Sequence, residues 1–270
     1  MNASFPRVVV LKRRLLFQFC WLALALGAHA QTDAVLSAPP SFEQLVAQAR
    51  AAESTFQPER ALFLFRAALQ IHPDDPQVLQ AISKQLSDEL DHISDRSRRL
   101  SIEREALSSA LRAAQLAPKD SLCLSSVAVC YGKLARDADL RERVVSAREV
   151  KHWAEAALQV NPNAEWAEHV LGVWNVEMAQ VGGAKRALAK MFYGDLPEGS
   201  LTEAIAHLRR AVELGPQVAL HHLALGDAYS KSGDKEAARV EWQKGLALPS
   251  HDLPDEIAKE AAKTVMSKTD

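Results

Sequence analysis

Five stretches of this chain close in the same way, and that recurrence limits its possible folds more than any other feature. They are ALFLFRAALQIHP (Ala61–Pro73), ALSSALRAAQLAP (Ala106–Pro118), VKHWAEAALQVNP (Val150–Pro162), AIAHLRRAVELGP (Ala204–Pro216) and AARVEWQKGLALP (Ala237–Pro249). Each carries apolar residues at helical spacing and an aliphatic residue shortly before a proline, which cannot continue a helix. The closing prolines lie 45, 44, 54 and 33 residues apart. A single helix pair cannot bury its own apolar face. Five diverged copies therefore predict a stacked helical array and argue against one compact globular core.

The last copy is the clearest. Ala219–Pro249 reads as two antiparallel helices joined at Ser232-Gly233-Asp234, where glycine tolerates the left-handed backbone that ends a helix. Leu225, Gly226 and Tyr229 lie on the first helix, and Ala238, Trp242, Gly245, Leu246 and Leu248 form the packing stripe of the second. Small residues at 226, 238 and 245 let the axes approach, and Tyr229 and Trp242 fill the space between them. This stretch resembles a tetratricopeptide repeat of about 34 residues, with Trp242 in the large aromatic place, Gly245 for the usual alanine, His222 where tryptophan is preferred, and Pro249 one residue early. The three longer intervals carry insertions of roughly 10 to 20 residues over that norm. The fold expected is all-α, a tetratricopeptide-like α-solenoid of helix–turn–helix repeats with insertions over residues 41–250, followed by a C-terminal capping helix and tail over 251–270. No alternating run of β-branched and aromatic residues argues for a sheet.

The N-terminus is read separately. Lys12-Arg13-Arg14 is a basic segment, Leu15–Gly27 an apolar run of 13 residues, and Ala28-His29-Ala30 a small-x-small cleavage pattern. The run is short for a membrane span. The expectation is a signal peptide over 1–30 cleaved after Ala30, a flexible leader over 31–40, and an exported chain, periplasmic or secreted, with no membrane span after cleavage. An uncleaved Leu15–Gly27 acting as a tether is the competing reading. Cys20 is followed by Trp21 and is a poor lipidation site. The segment holds Arg7, Lys12, Arg13 and Arg14 and no acid, so the remainder is more acidic than the whole chain's net charge of −2. Such a chain, taken as a whole, is a poor candidate for nucleic acid or anionic lipid. Cys123 and Cys130 lie two helical turns apart, about 10 Å along the axis, too far for a mutual disulfide, and read as buried apolar residues.

Along the chain, Ser41 is a plausible cap for a helix through Ala52, and Pro58 opens its partner. The second unit's first helix is expected over about Gln77–Ile93 and its second from about Ser101. The polar stretch Ser94–Arg99 could extend or break the helix. Leu122–Arg136 opens the third unit, before a charged insertion, Asp137–Arg143. Asn161-Pro162-Asn163 is a clear break. The fourth unit opens over Ala164–Val181, with Asn175 where tyrosine is usual. Gly182-Gly183 then interrupts, and a basic, apolar segment, Ala184–Ser200, precedes the second helix at Leu201.

The order of these features is similar to that of the regulator of microtubule dynamics family. It is carried by Leu171-Gly172-Val173-Trp174, then the basic-apolar Lys185–Met191, then Gly194–Pro197, within Val127–Pro216. The resemblance covers most of Phe42–Pro249 and implies divergent tetratricopeptide-like repeats acting as a binding scaffold. Animal members are associated with microtubules or organelle contact sites. An exported chain would meet no tubulin, so only the fold and the scaffold role are carried over.

The motifs that carry chemistry are missing. There is no G-x-x-x-x-G-K-[ST], G-x-G-x-x-G, G-x-S-x-G or H-E-x-x-H. Gly182-Gly183-Ala184-Lys185 lacks the strand and first glycine of a phosphate loop. Asp88 and His92 share a helix face but are only two ligands, and His221-His222 point about 100° apart, one expected to face the groove and one to face packing. The sequence therefore predicts no enzyme and no cofactor or metal, but a protein or peptide partner held in a groove of first helices. The candidate contacts are Trp166, His169, Val173, Leu223, Asp227 and Lys231. The alternative is an enzyme or accessory subunit of envelope metabolism using Gly182–Ser200; a hydrolase would need paired carboxylates in a pocket, and the sequence alone does not place Glu177, Asp195 or Glu198 in one.

Overall fold

The computed structural model describes residues 39–90 and 93–267. The expected signal segment, the leader as far as residue 38, His92 and the tail from 268 lie outside the described residues. Pro40–Asp270 makes one compact unit. Among the described residues it contains five helix pairs: α1 (Phe42–Ser54) with α2 (Pro58–Ile71), α3 (Pro76–Glu89) with α4 (Arg96–Leu116), α5 (Ser121–Asp137) with α6 (Leu140–Val160), α7 (Glu165–Ala179) with α9 (Leu201–Leu214), and α10 (Ala219–Ser232) with α11 (Lys235–Ala247). A short helix, α8 (Gly183–Tyr193), interrupts the fourth pair, and α12 (Leu253–Met266) follows the fifth. The all-α repeat array read from the sequence is the fold observed.

The chain marks its helix starts with short polar side chains. Ser41 and Gln44 form a reciprocal capping box on α1. Asp75, Asp95, Asp120, Asp139, Ser200, Asp234 and Asp252 cap α3, α4, α5, α6, α9, α11 and α12. Each accepts a backbone N–H that the first helical turn leaves unpaired. Gly233 ends α10 in the left-handed region, at φ 94°.

Among its buried residues each second helix repeats one stripe at i, i+4 and i+7: Ala61, Phe65 and Ala68; Ala106, Ala110 and Ala113; Val150, Ala154 and Ala157; Ala204, Leu208 and Ala211; Ala238, Trp242 and Gly245. Where the stripe carries Leu208 or Trp242, the first helix answers with glycine. A Cβ on Gly172 would lie 2.4 Å from Leu208 Cγ, and one on Gly226 would lie 2.4 Å from Trp242 Cδ1. Close packing makes the two volumes trade against each other. The apolar core accordingly divides into clusters along the array. First helices of consecutive units also touch, α3 on α5, α5 on α7 and α7 on α10, which puts them on the inner row.

Two insertions read from the sequence are extensions of regular helices. Ser94–Arg99 begins in a break, since Ser94 and Asp95 lie outside any helix, and continues as the first turn of α4, which starts at Arg96 under an Asp95 cap, five residues before the expected start. The charged stretch Asp137–Arg143 contains the end of α5, a turn, and the first turn of α6 under an Asp139 cap. Both α4 and α6 therefore run 21 residues. Arg99 donates to both carboxylate oxygens of Asp137 and to the carbonyls of Ile93 and Ser94, so the lengthened start of α4 is tied to the end of α5.

Helix α12 packs on α10 and α11. Its Asp255 accepts the Leu220 N–H at 3.2 Å and so supplies the cap that α10 lacks at its own Val218. Cys123 and Cys130 are free and buried on α5, where burial pushes both thiols up to about 12. They remain protonated and unreactive.

Candidate protein-binding groove

Helix α7 begins after the Asn161-Pro162-Asn163 break, where Asn161 Oδ1 accepts the Asn163 N–H in a local turn. Glu165 and Glu168 occupy its first turn, as the positive end of the helix dipole favours. Trp166 stands half-buried beside them, its ring edge-on to His169 and to His221 of α10, with centroids 5.6 and 5.0 Å away. His169 and His221 bring their Nδ1 atoms to 3.2 Å. One must donate and the other accept, so at least the accepting imidazole is neutral. Burial pushes His169 down to about 4; burial, then the neighbouring His169 and His222, pushes His221 down to about 3. Both are neutral at physiological pH. His221 Nε2 is buried and has no partner among the described residues.

Between α5 and α7 a cleft of about 300 Å³ is lined by Ser121, Leu122, Ser125, Asn161, Asn163, Ala164, Glu165 and Trp166. Leu122 is 47% exposed there. Asn161 Nδ2 donates to Ser121 Oγ at 3.4 Å, and Arg210 of α9 donates to Asn163 Oδ1 at 2.7 Å. The cleft thus combines apolar walls with amides already oriented by neighbours.

Of the six candidate contacts, the structure brings Trp166 and His169 together. Val173 is exposed two turns further along α7. Leu223 does not reach a surface: it fills the space over Gly245, inside the α10–α11 pair. Asp227 accepts the Trp242 Nε1–H at 2.9 Å; burial raises its carboxyl, against that hydrogen bond and Lys231. Lys231 is exposed in the last turn of α10. His221 and His222 are both buried. His222 bonds Glu241 Oε2 and the Pro216 carbonyl. The sequence expects one of His221 and His222 in the groove, whereas both are buried, and it does not reveal Leu122 or the Asn161–Asn163 pair as parts of this region. The Asn-Pro-Asn break is visible there, but the 52-residue separation of His169 and His221 hides their contact.

The Gly182–Ser200 insertion lies elsewhere. Helix α8 packs on α6, and Asn175 turns the chain back by accepting the Ser200 N–H. Glu177, Asp195 and Glu198 are solvent-exposed, and Asp195 pairs with Lys190. Among the described residues no three His, Cys, Asp or Glu side chains gather as a metal-binding group, and no helix is long and apolar enough to cross a membrane.

Comparison with known proteins matches this architecture. The chain superposes on a tetratricopeptide-repeat protein of Thermus thermophilus with a TM-score of 0.60 at 20% identity, covering 83% of this chain and 100% of that one. It is 25% identical over 234 residues to Regulator of microtubule dynamics protein 1 of Mus musculus, covering 85% of this chain and 75% of the mouse protein. Against the Bos taurus protein of the same name it is 28% identical over 170 residues, which is 62% of this chain and 53% of the bovine one. Residues 45–270 match the family model of Regulator of microtubule dynamics protein 1-3. The chain therefore belongs to the regulator of microtubule dynamics protein 1-3 family.

Proposed function

We propose that this protein is an exported, non-catalytic interaction scaffold of the tetratricopeptide type, and that the cleft between α5 and α7 holds a peptide segment of its partner. The observation that carries the reading is the cleft itself: exposed Leu122 and half-buried Trp166 face oriented amides on the inner row, between α5 and α7. Inner-row grooves of helical repeats suit extended or helical segments. The signal-like N-terminus supports export, and an exported chain takes its partner from the envelope and not from microtubules.

A photoreactive amino acid at position 166, in the chain starting at Gln31, tests this. It should capture a partner that the same probe at Val240, exposed on α11, does not. Leu122→Ala with Asn163→Ala should abolish that capture. Identical captures from both positions would remove the groove, and a native N-terminus at Met1 would remove cleavage after Ala30 in favour of an uncleaved Leu15–Gly27 tether.

A further inference from the structure

Helix α8 turns its apolar face outward. Leu188, Met191 and Phe192 occupy neighbouring positions on one face and are 46%, 76% and 63% exposed. Its inner side is fixed. Ala189 is buried, and Arg186 donates to the carbonyls of Met178, Val181, Leu196 and Pro197. Arg148 of α6 donates to the carbonyls of Tyr193 and Asp195. Gly194 turns the chain at φ +88°, with Arg148 Nη2 2.9 Å from where a Cβ would stand. The insertion is thus built to hold a Met-Phe tip in solvent.

The charge of the helix is as unusual as its orientation. Its eleven residues carry Lys185, Arg186 and Lys190 and no acid, in a chain of net charge −2. Lys190 pairs with Asp195 at 2.9 Å, but both side chains are at least 70% exposed, and such pairs hold weakly. Basic charge beside exposed aromatic and aliphatic side chains complements an anionic surface with an apolar interior. The patch offers on the order of 400 Å². That is below the roughly 800 Å² per partner of a stable protein pair. A bilayer needs less, because a few inserted side chains and nearby lysines act together at its surface.

We propose that α8 is a membrane-surface contact, in which Leu188, Met191 and Phe192 enter the headgroup boundary of a bilayer containing anionic lipid and Lys185 and Lys190 lie against its phosphates. The experiment is vesicle flotation of the chain from Gln31, which contains the whole compact unit, with phosphatidylcholine vesicles with and without phosphatidylglycerol. The wild type should float with the anionic vesicles and lose roughly tenfold of that binding on zwitterionic ones or in high salt. Met191→Asp with Phe192→Ser should abolish it, while Lys185→Arg with Lys190→Arg should retain it, both with wild-type circular dichroism. The proposal is overturned if the wild type stays unbound, if the Asp/Ser variant floats equally well, or if α8 changes abolish only self-association or capture of an acidic protein. None of these outcomes depends on the α5–α7 cleft.

Discussion

Glu103 is a carboxylate buried to 1% exposure, and neither of its oxygens has a hydrogen-bond partner among the described residues. Burial, then the nearby charge of Asp137, pushes its pKa up to about 7, against Arg136 and Arg99. The folded chain therefore binds more protons than the unfolded chain between the ordinary value of 4.5 and about 7, and stability declines as pH rises through that window. Glu103→Gln keeps the shape and removes the titration. The variant should melt a few degrees above wild type at pH 8, on the order of 1–2 kcal/mol, with the advantage gone by about pH 4. Thermal melts followed by circular dichroism across that range check it, and parallel curves for the two proteins would show a solvated Glu103. The His169–His221 pair slopes the opposite way. Its pKa values lie below the ordinary 6.5, so its stability is lost as pH falls. Only the difference between variant and wild type isolates Glu103.

At the scale of elements, one guanidinium closes the Gly182–Ser200 insertion. Arg186 reaches carbonyls on both sides of it, two before α8 and two after. A lysine at 186 could not span that fork. Arg186→Ala and Arg186→Lys should both speed amide exchange across 183–199 by about tenfold or more, roughly 1.4 kcal/mol or above, and leave the α10–α11 pair protected. Unchanged exchange in both would mean that α6 alone holds the insertion. The elements themselves are largely legible in the sequence, since the recurring stripes set five pairs and the Gly226–Trp242 exchange is readable from volume alone. The charged stretches 94–99 and 137–143 mislead when polarity is weighed above Asp95 and Asp139, whose capping role is present in the sequence. Leu223 reads as a groove residue because periodicity gives a face but not its cover, which here is Gly245. The same limit applies to α8, where an amphipathic pattern cannot say that the apolar face points outward.

At the scale of the molecule, Lys84 joins regions far apart in sequence. Its Nζ lies 2.8 Å from Asp88, 3.1 Å from Asp252 at the start of α12, and 3.3 Å from Glu53 of α1. Burial opposes the charge on Lys84, but the three carboxylates outweigh it and raise its pKa; burial pushes Asp88 up to about 6 despite the lysine. A linear repeat array frays from its ends, since each unit contacts only its neighbours. Here the terminal helix reaches back to the second unit, so opening α12 also breaks a contact with α3. Because Lys84 and Asp252 retain partial exposure, the direct coupling is modest, about 0.5–1 kcal/mol. A double-mutant cycle of Lys84→Met and Asp252→Asn in urea measures it. Lys84→Met alone should cost more, about 2 kcal/mol, because it leaves the buried Asp88 beside Asp252 without the ammonium that pairs with both. That loss should grow as pH rises from about 5 to 8, since carboxylates whose folded pKa is raised are destabilising once ionised. Asp252→Asn should instead speed exchange in α12 before the rest of the array. A coupling of zero, together with unchanged exchange in α12, would reduce the tie to a surface contact and leave the array as open as its repeats alone would make it.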